Sequence, residues 1–338
     1  MPAGRGPERF PPMINFLTTR RHGYTLRQYL ESFGQAIRDR FRQVSYGELF
    51  RSRSLPDDAY VFADLERLCP RNRGLAAHIR NRLAASGTGP LLNDPARTLC
   101  RYDLLCALHE RGLNDFRGYR WGEDLTRVRL PAFLRGEDDH HGGLTPPIGA
   151  ADALAAALRE SRRSWRRRRA NFVTEFLDTV DAEGVYRKYS AFFVAGRVIP
   201  RHVFFAREWM IKKPVLIDPR FIAEERRYVE DNPHRDRLAE IFAIAGVGYG
   251  RIDYGLWQGR IQTWEINTNP MILIAEDRNC APRMPVHELF AKRLAEAFEA
   301  LDREAATGNK TIPIDSPARG SIPAWGSLRE RMWHALYV

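Results

Sequence analysis

No run in this 338-residue chain is apolar enough, for long enough, to cross a bilayer; charged residues interrupt every candidate. The opening segment, MPAGRGPERFPPM, carries basic residues but no apolar core, which excludes a secretory signal. Cysteine is sparse. Cys69, Cys100, Cys106 and Cys280 form neither a dense framework nor a metal-knuckle spacing, so a disulfide scaffold and a zinc module are both excluded. A reduced, cytoplasmic protein with no membrane partner is expected, with Cys100 and Cys106 as packed thiols on one helix. Lysine is scarce as well: only five of the 53 basic residues are lysines. Internal repeats are absent.

The composition is otherwise that of a soluble globular chain, with 44% hydrophobic and 28% charged residues, long enough for two or three packed units. The formal charge of +11 favours anionic partners such as nucleotides, acidic metabolites or nucleic acid. A surface filled with arginine by coding bias would give the same charge, so charge alone decides nothing.

Patterning places a strand at Ile14–Leu17, a helix over about 26–41, a strand at Tyr60–Ala63 and a helix over about 70–83. Pro70 suits the first turn of that last helix. Strand and helix alternating at this spacing indicate a small open α/β unit. A short strand at 90–95, a helix over 98–111 stopped by Gly112, and a strand at 130–135 follow. The polar loop Gly136–Gly143 contains His140-His141, a pair read either as surface polarity or as a substrate-orienting group. An Ala-rich helix from 150 runs into arginines between 162 and 169. A strand at 172–177, a hairpin around Ala195-Gly196, helices at 219–230 and 235–244, two strands within 249–267 and a helix over 286–301 complete the compact part.

The most informative segments are Tyr249-Gly250-Arg251-Ile252-Asp253-Tyr254-Gly255 and Trp264-Glu265-Ile266-Asn267-Thr268-Asn269-Pro270. Side chains alternate across a strand, so Arg251 and Asp253 share one face, as do Glu265 and Asn267. The other face, with Ile252, Tyr254, Leu256, Trp264 and Ile266, is core-like. Both polar pairs fall on the same side only if Asp253 pairs with Glu265, which demands a three-residue or bulged connection around Gln258-Gly259-Arg260. Hard oxygen donors gathered in this way suit Mg²⁺, and the adjacent arginine suits a phosphoryl group in transfer. A solvated hairpin face with a surface ion pair is the competing reading.

Gly-x-Gly-Arg-Ile-Asp followed by Glu-x-Asn-Thr-x-Pro closely resembles the last metal-binding hairpin of the ATP-grasp superfamily. D-alanine–D-alanine ligase, glutathione synthetase and the ribosomal-modification glutamate ligases belong to it. The resemblance runs in element order from about Asn93 to Leu301. It implies an α/β (α+β) fold with residues 1–92 as an N-terminal α/β domain and 93–303 as the ATP-grasp domain. That domain would have a small lobe at about 125–177 and a large one at about 178–303, and 304–338 would be a tail with a short helix. It implies ATP and Mg²⁺ as cofactors, with Mn²⁺ as a substitute, and Asp253, Glu265 and Asn267 as metal ligands. Arg251 would meet the γ-phosphate or an acyl phosphate. Glu175, Phe176, Leu177 and Asp178 would lie on the strand that meets adenine and ribose; a plain edge strand is the alternative. Lys188, Arg197 and Arg201 would approach phosphate and substrate from the following hairpin. Arg101 and Arg135 stand where the family places nucleotide-binding lysines, and Met271 replaces a common glycine.

The resemblance implies a ligase that activates a carboxylate as an acyl phosphate for attack by an amine or thiol, with small-molecule carboxylate and amine substrates. The lysine-to-arginine changes motivate a second reading, a non-catalytic nucleotide-binding or regulatory module. A third is a basic RNA-associated protein using Arg162–Arg169 and Trp165, against the simpler reading of a solvated helix end. Leu328, Met332, Trp333 and Leu336 fall at helical spacing and are expected to dock on the body or on a partner protein. A homo-oligomer is compatible with the sequence.

Overall fold

Ile14–Leu17 does form a strand, apolar because both faces are covered, except for Asn15, whose buried amide donates to Asp58 at 3.1 Å. In this computed structural model, which describes residues 13–137, 142–163, 171–305 and 310–315, β1 (Ile14–Thr18) is buried along its whole length. The pair His140-His141, Trp165 with the arginine run beyond Arg163, and the segment containing Leu328–Leu336 lie outside the described residues. β1 runs parallel to β2 (Phe41–Ser45) on one side and β4 (Ala59–Phe62) on the other. With β5 (Leu91–Leu92) at the far edge, the order is β2-β1-β4-β5.

One face of this sheet packs with α1 (Tyr24–Ser32) and α8 (Met284–Glu304) into a core containing Phe16, Tyr29, Phe290 and Phe298. The other packs against α2 (Tyr46–Arg51) and α3 (Pro70–Ala85). The helix expected over 26–41 stops at Ser32. A Cβ on Gly34 would lie 2.6 Å from the Tyr29 ring, so the chain folds its bare backbone against that ring. It then makes a 3₁₀ segment, Gln35–Arg40, and enters β2, an edge strand the sequence pattern did not reveal. Nor did the pattern reveal β3 (Ser54–Pro56). It pairs with β13 (Thr311–Pro313), so part of the expected C-terminal tail returns to cover the N-terminal sheet.

Two antiparallel sheets build the rest. The smaller, β6-β8-β7, comprises β6 (Gly118–Tyr119), β7 (Ala132–Gly136) and β8 (Asn171–Glu175). Leu154 and Leu158 of α5 (Ala151–Arg163) pack on it. The larger has the order β10-β9-β11-β12, from β9 (Tyr186–Val194), β10 (Arg197–Ala206), β11 (Tyr249–Trp257) and β12 (Arg260–Asn267). α4 (Arg101–Glu110), α6 (Pro219–Asp231) and α7 (Arg235–Ala245) contribute to the core beneath it. Among the described residues no helix is long and apolar enough to span a membrane.

Asn93 stitches the N-terminal sheet to the large one. It is buried at a positive φ of 62°, and its amide donates to the Phe62 and Tyr249 carbonyls at 3.0 Å each. Its oxygen accepts from the backbone N–H groups of Gly248 (2.8 Å) and Tyr249 (2.9 Å). Asn93→Ala removes four bonds and leaves buried backbone groups unsatisfied, so a loss of about 2–4 kcal/mol is expected. Chemical denaturation measures it, and a loss under about 1 kcal/mol would show that the junction is not held there.

Candidate functional site

Gln258 and Gly259 connect β11 to β12 as a two-residue turn with φ of 50° and 74°, both left-handed as a type I′ turn requires. A two-residue turn with unbroken pairing would have put Glu265 on the face opposite Asp253. The ladder corrects itself: Asp253 pairs with Glu265 while Tyr254 pairs with Thr263, so Trp264 is the extra residue of a β-bulge. The Asp253–Glu265 pairing required by alternation is therefore present. The odd residue lies in the strand and not in the connection. Trp264 consequently leaves the core face assigned to it by alternation. Its ring lies so close over Gly255 that a Cβ there would sit 2.7 Å away.

The bulge brings two carboxylates into a ring of cations. Glu265 Oε2 accepts from Arg101 Nη2 at 2.7 Å and Arg135 Nη2 at 2.8 Å, and Oε1 accepts from the Asn267 amide at 3.0 Å. Asp253 accepts from Arg251 Nε (2.9 Å) and Nη2 (3.1 Å), from Ser190 Oγ (2.5 Å) and from Lys188 Nζ (2.8 Å). Burial opposes ionisation at both acids. At Glu265 the charges of Arg101, Arg135 and Lys188 overcome it and hold the carboxyl well below its ordinary range. At Asp253 Arg251 and Lys188 do the same, partly countered by the charge of Glu265, its cross-strand partner. Among the described residues, four cations thus surround two carboxylates.

Each cation is aimed by its own element. Arg101 opens α4, and its Nη1 donates to the Gly136 carbonyl at 2.5 Å. Arg135 is the last residue but one of β7 and also donates to the Trp264 carbonyl at 3.1 Å. Arg251 reaches the Met271 carbonyl at 3.2 Å. Cys100 Sγ, expected to be packed, lies within hydrogen-bond distance of Asp103 (2.8 Å) and Glu137 (2.5 Å) and donates its one proton to either, bringing the start of the glycine-bearing loop to α4.

Arg101, Arg135, Lys188, Arg251, Asp253, Glu265 and Asn267 therefore converge. Arg197 does not: it is exposed beside the Ala195-Gly196 turn, six register positions from the Phe204–Lys188 pair. Arg201 is buried behind the site, donating to the Ile272 carbonyl at 3.0 Å. Burial, against the help of Asp277, brings its guanidinium down to about 10.

Glu175 is spoken for as well. Its carboxylate accepts from Tyr119 Oη (2.9 Å), Arg129 N (3.0 Å) and Arg129 Nη2 (2.8 Å), which fastens β8 to β6 and to the loop before β7. That leaves no carboxylate oxygen there for a ribose. Phe176 and Leu177 instead face an apolar pocket with Phe133, Trp209, Met210 and Ile211, which opens onto Arg135, Lys188, Asp253 and Glu265. The Trp209 ring makes edge contacts with Phe133 (5.0 Å) and Phe176 (5.5 Å). Gly142, at φ 82°, and Gly143 lie so close to Met210 and Trp209 that side chains there would collide. Asp178 is exposed and engages the Tyr186 phenol. Sequence reasoning missed Trp209–Ile211, which lack strand or helix period, and Ser190, a small polar residue just before the apolar end of β9.

The donor set fits a hydrated divalent cation carrying phosphates. It offers two carboxylates and an amide oxygen, set among guanidinium groups that bind phosphate bidentately. No protein-family model matches the sequence, and no curated protein matches it. Solved structures are similar in fold. The ATP-grasp ligase PsnB complexed with a minimal precursor aligns at a TM-score of 0.52 and 14% identity, over 86% of this chain and 100% of that one. PsnB with a phosphomimetic precursor variant, Mg and ADP aligns at 0.50 and 13%, over 88% and 100%. A D-alanine–D-alanine ligase from Bacillus anthracis gives 0.47 and 13%, over 84% and 99%.

Proposed function

On the ATP-grasp fold that this chain adopts, we propose that it binds Mg-ATP between its two antiparallel sheets and phosphorylates a substrate carboxylate. The observation that carries this reading is the cluster of two carboxylates and four cations at the mouth of an apolar pocket. In this arrangement the carboxylates hold the places that phosphate oxygens would take. With a triphosphate bound, Arg101, Arg135, Lys188 and Arg251 would hold its phosphates, and Asp253, Glu265 and Asn267 would hold Mg²⁺ or Mn²⁺. The metal, when bound, neutralises phosphate charge as it develops.

The base enters the Phe176, Leu177 and Trp209 pocket, where backbone of the 175–177 segment meets its edge. Arg251 and Arg135 hold the γ-phosphate oxygens. A carboxylate oxygen of the substrate attacks the γ-phosphorus, the bond to the β-bridging oxygen breaks, and ADP leaves. An amine or thiol then attacks the acyl carbon, releases phosphate and gives its proton to solvent. Rate comes from positioning and fixed charge, since no protein side chain bonds to the reacting atoms. PsnB, itself described as a ligase and held with Mg and ADP, supports the nucleotide assignment.

Mg-ATP is expected to raise the melting temperature of the purified protein more than ATP or Mg²⁺ alone. Trp209→Ala should weaken ATP binding roughly tenfold by removing the largest ring of the base pocket. ADP release on adding a metabolite pool separates a ligase from a nucleotide-binding module without chemistry. No stabilisation by Mg-ATP would sink both.

A further inference from the structure

The apolar pocket holds a polar side chain that the fold itself does not use. Thr174 lies inside β8, opposite Phe133 of β7 and Gly118 of β6. Residues paired across a ladder share a face, and neighbours along a strand do not. Val173 and Glu175 turn to the side of Leu134 and Tyr119, where α5 packs. Thr174 therefore turns the other way, with Phe133, and lines the pocket beside Phe176, Leu177, Trp209 and Met210. It is only 1% exposed, and its hydroxyl has no hydrogen-bond partner among the described residues.

A hydroxyl in that state has given up water and gained nothing in return. Thr88, Thr263 and Tyr249 also carry buried hydroxyls without a partner, but none of them lines this pocket. Place is what sets Thr174 apart. The backbone beside it is engaged: Glu175 N–H donates to the Arg117 carbonyl at 3.2 Å, and Phe176 N–H to the Pro131 carbonyl at 2.9 Å. Neither N–H therefore demands an acceptor at ring position 1 of a purine. A hydroxyl rotates, and it can accept a hydrogen bond or donate one. An amino group at position 6 donates to it; an oxo group there accepts from it.

Resting on the nucleotide reading above, we propose that Thr174 reads the exocyclic group at position 6 of a purine, and that the site takes 6-amino and 6-oxo purine triphosphates alike. Arg135 stands two residues beyond Phe133 on the same face of β7, so the charged cluster borders the pocket. Phosphates held there keep the glycosidic side of the base toward the cluster and leave its far edge to β8. The rings of Phe133, Phe176 and Trp209 stack or edge against any purine and express no preference at position 6. A base with only hydrogen at that position leaves the hydroxyl unsatisfied in a closed pocket, so it binds less well.

Isothermal titration calorimetry of the full chain with three Mg²⁺-bound nucleotides tests this. They are ATP, inosine triphosphate, and purine riboside triphosphate, which carries hydrogen at position 6. Wild type binds the first two within about threefold of each other and the third about tenfold more weakly, the contribution of one neutral hydrogen bond. Thr174→Val keeps the shape and binds all three alike, at the wild-type affinity for purine riboside triphosphate. Thr174→Ser keeps the wild-type order. Without nucleotide, Thr174→Val melts no lower than wild type, because the hydroxyl it lacks had no partner to lose; a lower melting temperature would assign the hydroxyl to the fold and overturn the proposal. The same preference for ATP over purine riboside triphosphate in wild type and Thr174→Val also overturns it. So does inosine triphosphate binding to wild type about tenfold more weakly than ATP. If wild type binds all three equally, position 6 is not read and this proposal alone falls. If it binds none of them, the nucleotide reading falls and takes this proposal with it.

Discussion

Glu265→Gln is expected to cut ADP release by about two to three orders of magnitude, the usual effect of removing one electrostatic contributor from a preorganised site. The same change should destabilise the ligand-free protein by about 3 kcal/mol, or several degrees in melting temperature. Arg101 and Arg135 expose only 6% and 7% of their side chains, and Glu265 is the carboxylate that both meet. A glutamine keeps the shape but supplies no counter-charge. Adding nucleotide separates the two roles. Free ATP, bringing its own negative charge to these two guanidiniums, should stabilise the variant nearly as well as Mg-ATP does, whereas wild type should prefer Mg-ATP. Unchanged ADP release together with an unchanged melting temperature would mean that the cluster is neither a metal site nor a charge balance.

Arg283→Met should be the most damaging single change away from the site, at about 3–5 kcal/mol. Arg283 clamps Glu225 of α6 with two bonds, Nε to Oε2 at 2.8 Å and Nη2 to Oε1 at 2.6 Å, and the side chains are only 4% and 2% exposed. Glu225 also accepts from the Val203 backbone N–H of β10 at 3.3 Å. Removing the guanidinium strands a buried carboxylate, and that penalty dominates the loss. Replacing both partners, as Glu225→Leu with Arg283→Met, should recover most of the stability, because burying an ion pair gains little over packed apolar groups. Denaturant unfolding of the two single variants and the double variant reads the coupling. Additive losses would show that the pair is not a unit.

Much of the site is legible in the sequence because strand chemistry is local. Period-two alternation puts Arg251 with Asp253 and Glu265 with Asn267, and the need to face both pairs the same way fixes their register. What alternation cannot do is locate the irregularity. The bulge at Trp264 depends on a tight I′ turn at one end and a cation cluster at the other, and neither is visible in a window of a few residues. Glu175 shows the converse limit. It stands on the expected strand, yet Tyr119 of β6 and Arg129 of the loop before β7 reach it from far along the chain and occupy its carboxylate. Trp209 in a polar, aperiodic loop and the exposed Arg197 are placed only by where β10 carries each of its ends.

By itself the sequence determined the alternating and helical segments, the carboxylate–arginine hairpin and the arginine-dominated charge. These follow from side-chain spacing and composition, which act within a few residues. Only the tertiary structure decided which charges meet. Lys188, the first lysine in the chain, joins Arg101, Arg135 and Arg251 around two acids, while Arg20, Arg21, Arg27 and Arg51 face a hollow of their own. Electrostatic energy depends on distance in space and on local burial, and neither quantity is written in the order of residues along a chain.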